Sequence, residues 1–160
     1  PSYSPKNMED PSRCVSIVIK SYSNSKPMLL NSYEKNIKRY LERFRLINTN
    51  IIVVPNSYVR LNISGEIVVN SYYKNNDDLI KKYIQKYIER LNQSYGQTLY
   101  FGDLFGTINK LDCVSYVKDL KVNPSGGYIE KTKSSDIIIN PHGMYLIEGL
   151  NFIYTRSSNI

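Results

Sequence analysis

Few side chains in this sequence combine a reactive type with a spacing that supports chemistry. His142, the single histidine, stands in the turn sequence Asn-Pro-His-Gly, where an exposed side chain is expected. General-base catalysis needs an orienting partner, and the sequence identifies none for it. Cys14 and Cys113 are distant and fall in predicted strands, so buried free thiols are expected rather than a disulfide or a zinc site. We therefore expect no metal site and no cofactor.

Motifs for nucleophilic catalysis and for phosphate binding are missing as well. No Gly-x-Ser-x-Gly elbow, Walker loop or Gly-x-Gly-x-x-Gly fingerprint occurs in the sequence. Asp77 and Asp78 are adjacent carboxylates that could hold a cation, but at a predicted helix start they more often complement the helix dipole. Asp103, in a loose Gly-x-x-x-Gly context, is predicted to cap a short helix. The sequence therefore predicts no catalytic residues and a protein that is not an enzyme.

Residues 58–69 predict the longest strand, because apolar and polar residues alternate along it. Gly65 falls on the apolar side of this strand, which predicts a bulge or the close approach of a neighbour. Residues 75–78 offer a helix N-cap and first-turn carboxylates, and Gly96 is a candidate C-terminal stop. The apolar positions of the helix between them are Leu79, Ile80, Tyr83, Ile84, Tyr87, Ile88 and Leu91.

A second helix is predicted after Asp103, with Leu104, Ile108 and Leu111 on its apolar side. A strand over residues 113–122 follows, and it has an irregularity near Lys118 and Asp119.

The remaining segments complete an α+β fold. A strand at residues 14–20, an amphipathic helix from Leu30 to Phe44 and a strand at residues 51–54 form a first strand-helix-strand module. Beyond residue 122 the sequence predicts a Gly-rich turn, a polar stretch and two strands that form a C-terminal β-hairpin. We predict two small strand-helix-strand modules in series, with mixed or antiparallel sheets. Their bounds are a lead-in at 1–13, a first module at 14–55 and a second at 56–160.

Composition restricts the class of partner. The net charge is +7 and the pI about 9.3, but the Lys and Arg residues are dispersed over helix faces, which favours a solvated surface. Nucleic acid is therefore an unlikely partner, and a nucleic-acid-binding α+β domain is the alternative prediction. No apolar run is long enough to span a membrane. The 15 Tyr are in excess, and tyrosine is favoured in contact surfaces.

The order of five segments resembles the C-terminal half of the baseplate J-like family, the wedge proteins of contractile phage tails and related particles. The matching segments are RLINTNIIVVP at 45–55, the long strand YVRLNISGEIVV at 58–69, GQTLYFGDL at 96–104, LDCVSYV at 111–117 and DIIINPHGMYLI at 136–147. Together they cover most of residues 14–153. The chain begins at Pro1 rather than Met, and the family's N-terminal part is absent, so we expect a fragment of a longer protein.

The resemblance implies a structural wedge protein that acts through protein–protein contacts in an assembly. Its partners would be other baseplate or tail subunits, in a homo- or hetero-oligomer. Its location would be the bacterial cytoplasm during assembly and then the baseplate of a phage or tail-like particle. The predicted subunit-contact residues are Tyr58, Arg60, Tyr95, Tyr100 and Phe101.

Overall fold

The structure is a computed structural model that describes residues 14–19, 31–45 and 49–156, so the predicted lead-in at 1–13 lies outside the described residues. Its contacts divide the chain into two units, Pro1–Asn56 and Ser57–Ile160. The elements in chain order are β1 (Cys14–Ile19), α1 (Asn31–Glu42), β2 (Asn50–Pro55), β3 (Ser57–Val69), α2 (Asn76–Leu91), α3 (Phe101–Asn109), β4 (Val114–Ser125), β5 (Ile129–Lys131), β6 (Ile137–Ile139) and β7 (Gly143–Arg156). The fold is of the predicted α+β class.

The first unit contains a strand-helix-strand arrangement, as predicted. β1 and β2 pair in parallel, with Cys14 opposite Asn50, and α1 supplies the crossover that parallel neighbours require. Tyr40 and Phe44 were predicted on the apolar side of this helix. Their rings contact each other at 5.3 Å, but 61% and 68% of these residues is exposed.

The second unit is built on a mixed three-stranded sheet in the order β4-β3-β7. The predicted long strand forms β3, which pairs antiparallel with β4 over Arg60–Val69 and parallel with β7 over Ser57–Val69. Ile147 stands opposite Leu61 and Gly149 opposite Asn62, so Glu148 is the extra residue of a bulge in β7. β7 thus joins β3, while the antiparallel hairpin of the C-terminal part is formed by β5 and β6. Leu99 adds a single bridge to Ile137 of that hairpin.

Two features of β3 and β4 were predicted correctly. Glu66 stands opposite Asp119 and Ile67 opposite Val117, so Lys118 is the extra residue of a bulge at the predicted irregularity. A Cβ added at Gly65 would lie 2.3 Å from the carbonyl oxygen of Asp119. The close approach expected at this glycine is confirmed, and it explains why no side chain stands there.

The core of the second unit lies between one face of the sheet and helices α2 and α3. Ile80, Ile84 and Ile88 recur at intervals of four residues and are buried, as are Leu104 and Ile108 of α3. They belong to one apolar cluster with the inward residues of β3, which are Val59, Leu61, Ile63, Ile67 and Val69. The prediction was wrong at Leu79 and Tyr83, which are 37% and 46% exposed. The buried stripe of α2 is therefore narrower than its apolar composition indicates.

The predicted helix ends need three corrections. Asn75 is the N-cap residue of α2 but makes no side-chain cap hydrogen bond. Gly96 does not stop this helix, which ends at Leu91. Its positive φ of 66° serves the following turn, where a Cβ would lie 2.7 Å from Pro141 Cα. Asp103 does not cap α3, because the helix begins two residues earlier, at Phe101.

The cysteines are only partly as predicted. Cys14 lies in β1 and is half-buried, whereas Cys113 is buried but precedes β4 rather than lying within it. Neither cysteine forms a disulfide. His142 is half-buried in the turn before β7, where its carbonyl oxygen accepts a hydrogen bond from the Ser57 N–H at 3.2 Å.

Candidate interaction surface

The residues that alternate with the core residues of the sheet point away from α2 and α3. We call this side the open face, because its side chains are exposed or half-buried. It consists of Arg60, Asn62, Ser64, Glu66, Tyr116, Lys118, Asp119, Lys121, Asn123, Leu146, Glu148, Asn151 and Ile153. A sheet with one face on a core and one face in water is the expected arrangement for an antiparallel pair, and here β7 extends it.

The charges of the open face neutralise one another. Lys118 Nζ lies 2.7 Å from Glu66 Oε1, and the hydrogen bond and charge of Glu66 raise the pKa of Lys118. Arg60 lies 3.7 Å from Glu148, and Lys121 lies 3.4 Å from Asp119. Each exposed cation thus has a carboxylate within 4 Å, and the face carries no net charge. It therefore lacks the positive field that phosphate binding requires.

Apolar side chains stand among these paired charges. Ile153 is 71% exposed, Tyr116 53% and Leu146 38%. Ile153 and Leu146 belong to β7 and Tyr116 to β4, so they lie on the two outer strands of the sheet. Tyrosine and arginine are enriched in protein–protein contacts, whereas lysine and carboxylates are depleted at their centres. The exposed apolar groups and Tyr116, rather than the paired charges around them, are therefore what this face offers to a protein partner.

The structure divides the five predicted contact residues into two groups, one on or beside the open face and one at the start of α3. Arg60 lies on the open face. Tyr58 is half-buried on the same side of β3, and Tyr95 has its pKa raised first by burial and then by the nearby Tyr58 phenol, so these two tyrosines are neighbours. Tyr100 and Phe101 lie instead at the start of α3. Tyr100 is 54% exposed, whereas the Phe101 side chain packs against the core cluster.

The N-terminus of α3 is held by the β5–β6 hairpin. The Phe101 N–H donates to Asp136 Oδ1 at 2.9 Å, so Asp136, from a distant part of the sequence, satisfies the first turn in place of the predicted Asp103. Hydrogen bonds from Ser134 and then from the Phe101 N–H lower the pKa of Asp136. A shallow depression at this position is lined by Tyr100, Phe101, Gly102, Asp103, Ser134 and Asp136. Tyr100 and Asp103 therefore lie beside the turn of the β5–β6 hairpin.

Asn92 and Tyr145 connect the end of α2 to the start of β7, and the sequence did not single them out. Asn92 Nδ2 donates to the Tyr145 carbonyl at 2.7 Å, and Asn92 Oδ1 accepts from the Tyr145 N–H at 2.9 Å. The Asn92 side-chain amide thus makes the two hydrogen bonds to Tyr145 that the backbone of a neighbouring strand would otherwise make. The Tyr145 hydroxyl lies 2.8 Å from the Gln97 carbonyl and accepts from the Leu99 N–H at 3.1 Å. Burial raises the pKa of Tyr145 to about 12.

Three further groups whose pKa values are shifted, Asp77, Tyr154 and Cys113, are buried or held in structural contacts. Asp77 accepts from the Tyr154 hydroxyl at 2.6 Å and pairs with Lys81 at 2.8 Å. Burial alone would raise the pKa of Asp77, but hydrogen bonds from Lys81 and Tyr154 outweigh it and lower the pKa. Burial and the bond to Asp77 raise the pKa of Tyr154, and burial raises that of the Cys113 thiol. Among the residues that the structure describes, no three His, Cys, Asp or Glu side chains group as metal ligands would.

Comparison of the chain with protein-family models and with curated proteins found no match. In the described part of the chain, no helix has the length and apolar content to cross a membrane.

Proposed function

We propose that this chain is a structural wedge component of the baseplate of a contractile phage tail or a tail-like particle. It acts through contacts with other baseplate subunits and does no catalysis of its own. It is assembled in the bacterial cytoplasm and then belongs to the particle. The open face carries the proposal, because it combines exposed Ile153, Tyr116 and Leu146 with charges that are already paired. The order of the five sequence segments that resemble the baseplate J-like family supports it.

The contact surface that we propose has two parts. One is the open face with Arg60 and the adjoining Tyr58 and Tyr95, and the other is the exposed Tyr100 beside the β5–β6 hairpin. Tyrosine suits both, since its ring contributes apolar area and its hydroxyl can still find a polar partner at the rim. At α3 this surface depends on Tyr100 alone, because the Phe101 ring packs against the core and its N–H donates to Asp136.

Imaging of the native particle tests the proposal directly. The protein is purified from its host particle and examined by electron microscopy. Density for this chain in a ring at the base of the tail, with the open face against a neighbouring subunit, is the expected result. A ring in which the open face and Tyr100 both face solvent would overturn the contact assignment. A host that makes no particle containing this chain would overturn the wedge function.

The particle yields of two variants give a quantitative test of the open face. Tyr116→Ser removes an exposed ring from the open face, and it should lower particle yield severalfold without unfolding the chain. Tyr72→Ser removes a ring that is 85% exposed in the turn between β3 and α2 and should leave particle yield unchanged. Equal losses in the two variants would show that surface tyrosines act only through solubility.

One observation favours the alternative function, binding of nucleic acid. Residues 1–56 carry nine basic and four acidic side chains, so five of the seven excess positive charges lie in the first unit. On α1 and directly after it, Lys35, Lys38, Arg39 and Arg43 are exposed. Fluorescence anisotropy with a labelled single-stranded RNA and a DNA duplex at two salt concentrations tests this directly. Binding that falls steeply with salt and is lost in Arg39→Glu/Arg43→Glu would establish it.

A further inference from the structure

The charges of the first unit are gathered on a single helix. The described residues of this unit carry five basic and two acidic side chains, and all seven lie between residues 34 and 45, on α1 and the three residues that follow it. Glu42 pairs with Arg45 at 3.2 Å, and Glu34 is half-buried. The exposed side of α1 is therefore positive, whereas the open face of the second unit carries paired charges.

Three of these cations form one stripe along the helix. Lys35, Arg39 and Arg43 recur every four residues, so each lies about 6 Å further along the helix axis than the one before and only about 40° further around it. All three side chains are exposed. Among the carboxylates that the structure describes, none lies within 4 Å of any of them. The stripe is thus available to a row of phosphates.

Two exposed aromatic rings run beside this stripe. Tyr40 and Phe44 each follow an arginine of the stripe by one residue, and Tyr40 precedes Arg43 by three, the spacing of neighbours on a helix surface. The N–H groups of Arg43 and Phe44 donate to carbonyls three residues earlier, at 3.3 and 3.0 Å, so the helical path continues through both residues. The two rings are 5.3 Å apart between centroids, and the residues are 61% and 68% exposed. A flat partner therefore has access to the outer faces of the rings.

We propose that this side of α1 binds a single-stranded nucleic acid. Lys35, Arg39 and Arg43 contact its phosphates, and unpaired bases stack on Tyr40 and Phe44. A row of cations beside exposed aromatic rings is the arrangement by which proteins bind single strands without reading their sequence. The bases of a duplex are stacked on one another, so a duplex can use only the phosphate contacts.

Cations and aromatic rings also occur together on helices that lie on anionic membranes. Such a helix buries a wide apolar side in the lipid. In α1 the aliphatic residues Ile37 and Leu41 are half-buried, so the exposed apolar surface among the described residues of this helix and the turn after it consists of two rings. A surface this narrow suits the faces of one or two bases better than the headgroup layer of a bilayer.

A single-strand site on α1 goes beyond the proposed wedge function and gives the nucleic-acid alternative a defined ligand. A subunit that joins a particle through the open face can bind a single strand through α1 or lack that activity. Tyr116→Ser, which tests the open face, should therefore bind single strands as the wild type does. The two proposals fail separately.

Fluorescence anisotropy with a short labelled oligothymidylate and with a duplex of equal length tests the class of ligand. The full 160-residue chain should bind the single strand about tenfold or more tightly than the duplex, because one stacked base contributes about that factor. Three phosphate contacts on a single strand predict a slope of about −2 for the logarithm of the binding constant against the logarithm of the salt concentration.

Two double variants separate stacking from charge. Tyr40→Ser/Phe44→Ser should weaken single-strand binding about tenfold or more and leave the salt slope unchanged, because the cations remain. Arg39→Gln/Arg43→Gln should reduce the slope by about 1.4. Tyr83→Ser is the matched control, because it removes a ring that is 46% exposed beside a lysine ammonium on α2. It should leave both the affinity and the slope unchanged.

Phe44→Trp reports on stacking directly, because the sequence contains no other tryptophan. The oligothymidylate should quench the indole emission of this variant, and the duplex should not. Vesicles of phosphatidylserine and phosphatidylcholine are the comparison. A shift of the emission to shorter wavelength on these vesicles, without quenching by the oligonucleotide, would show that the rings insert into lipid and would overturn the proposal. Equal affinity for duplex and single strand overturns it too, as does a Tyr40→Ser/Phe44→Ser variant that binds as tightly as the wild type or a wild-type chain that binds neither oligonucleotide.

Discussion

Replacement of Tyr145 by phenylalanine tests whether its hydroxyl fastens the segment after α2 to β7 and to the hairpin. The hydroxyl lies 2.8 Å from the Gln97 carbonyl and 3.0 Å from the Ile137 carbonyl, and it accepts from the Leu99 N–H. The residue is 2% exposed and Leu99 is fully buried, so water cannot take the place of the hydroxyl at the Leu99 N–H. The substitution keeps the ring and removes a single oxygen.

The magnitude follows from these contacts. The Leu99 N–H and the Ile137 carbonyl retain their mutual backbone bond of 2.9 Å, so the group left unsatisfied is the Gln97 carbonyl. A typical net hydrogen bond contributes about 1 kcal/mol, and an unsatisfied acceptor costs about 1–3 kcal/mol. Because this hydrogen bond is only partly buried, we expect a loss in the lower part of that range, about 1–2 kcal/mol in the free energy of unfolding. For a unit of this size each 1 kcal/mol corresponds to roughly 4–8 °C, so the melting temperature should fall by roughly 4–16 °C.

Urea unfolding followed by far-ultraviolet circular dichroism measures this change. Tyr128→Phe is the matched control, because Tyr128 is 55% exposed and its hydroxyl makes only a contact of 3.4 Å with Glu130. The control should change stability by less than about 0.5 kcal/mol. If the two variants unfold at the same urea concentration, the Tyr145 hydroxyl does not fasten these segments and the account of this network is wrong.

Three further predictions concern the same unit. Asn92→Asp keeps the shape of the side chain but replaces the donor to the Tyr145 carbonyl by an oxygen. Urea unfolding should therefore show a loss of about 2 kcal/mol in the free energy of unfolding. An unchanged urea midpoint contradicts the role of this amide as a partner of the Tyr145 backbone. Gly65→Ala forces a Cβ into a backbone carbonyl of β4 and should cost about 2–3 kcal/mol, whereas Gly102→Ala in open space should be neutral or stabilising; equal thermal melts refute the clash. Burial raises the pKa of Tyr87 and of Tyr145 to about 12, while both ionise near pH 10 when unfolded. Urea unfolding should thus show full stability below pH 10 and a loss as pH rises through 12, and a flat profile refutes this.

Local patterns predicted the elements because each element repeats its signal along its length. The alternation over β3 and the four-residue recurrence of Ile80, Ile84 and Ile88 are each carried by several residues, so β3 was predicted within one residue of both ends and α2 within one residue of its start. The end of α2 has no such repeated signal, and Gly96 was wrongly predicted to stop the helix. The bulge at Lys118 and the close approach at Gly65 were predicted for the same reason. A charged residue or a glycine that interrupts an apolar pattern marks the position locally.

Contacts between distant segments had no such signal. The cap of α3 comes from Asp136, 35 residues after the N–H that it accepts from, and Asp103 offered a nearer cap by local rules. Asn92 and Tyr145 are 53 residues apart, and nothing in the sequence around either residue indicates the other. The same limit applies to the contact residues. Tyr100 and Phe101 are adjacent in the sequence, but one ring is exposed and the other packs against the core.

The charge distribution separates the two units more sharply than the composition of the whole chain indicates. Residues 57–160 carry twelve basic and ten acidic side chains, and on the open face every cation stands beside a carboxylate. Long-range attraction to a polyanion therefore cannot arise from that face, since paired charges of opposite sign cancel beyond about one Debye length of 8–10 Å. What remains available to a partner there is short-range: the apolar groups Ile153, Tyr116 and Leu146. Recognition by that face must accordingly depend on apolar contact and shape, and it should be far less sensitive to salt than any binding by α1.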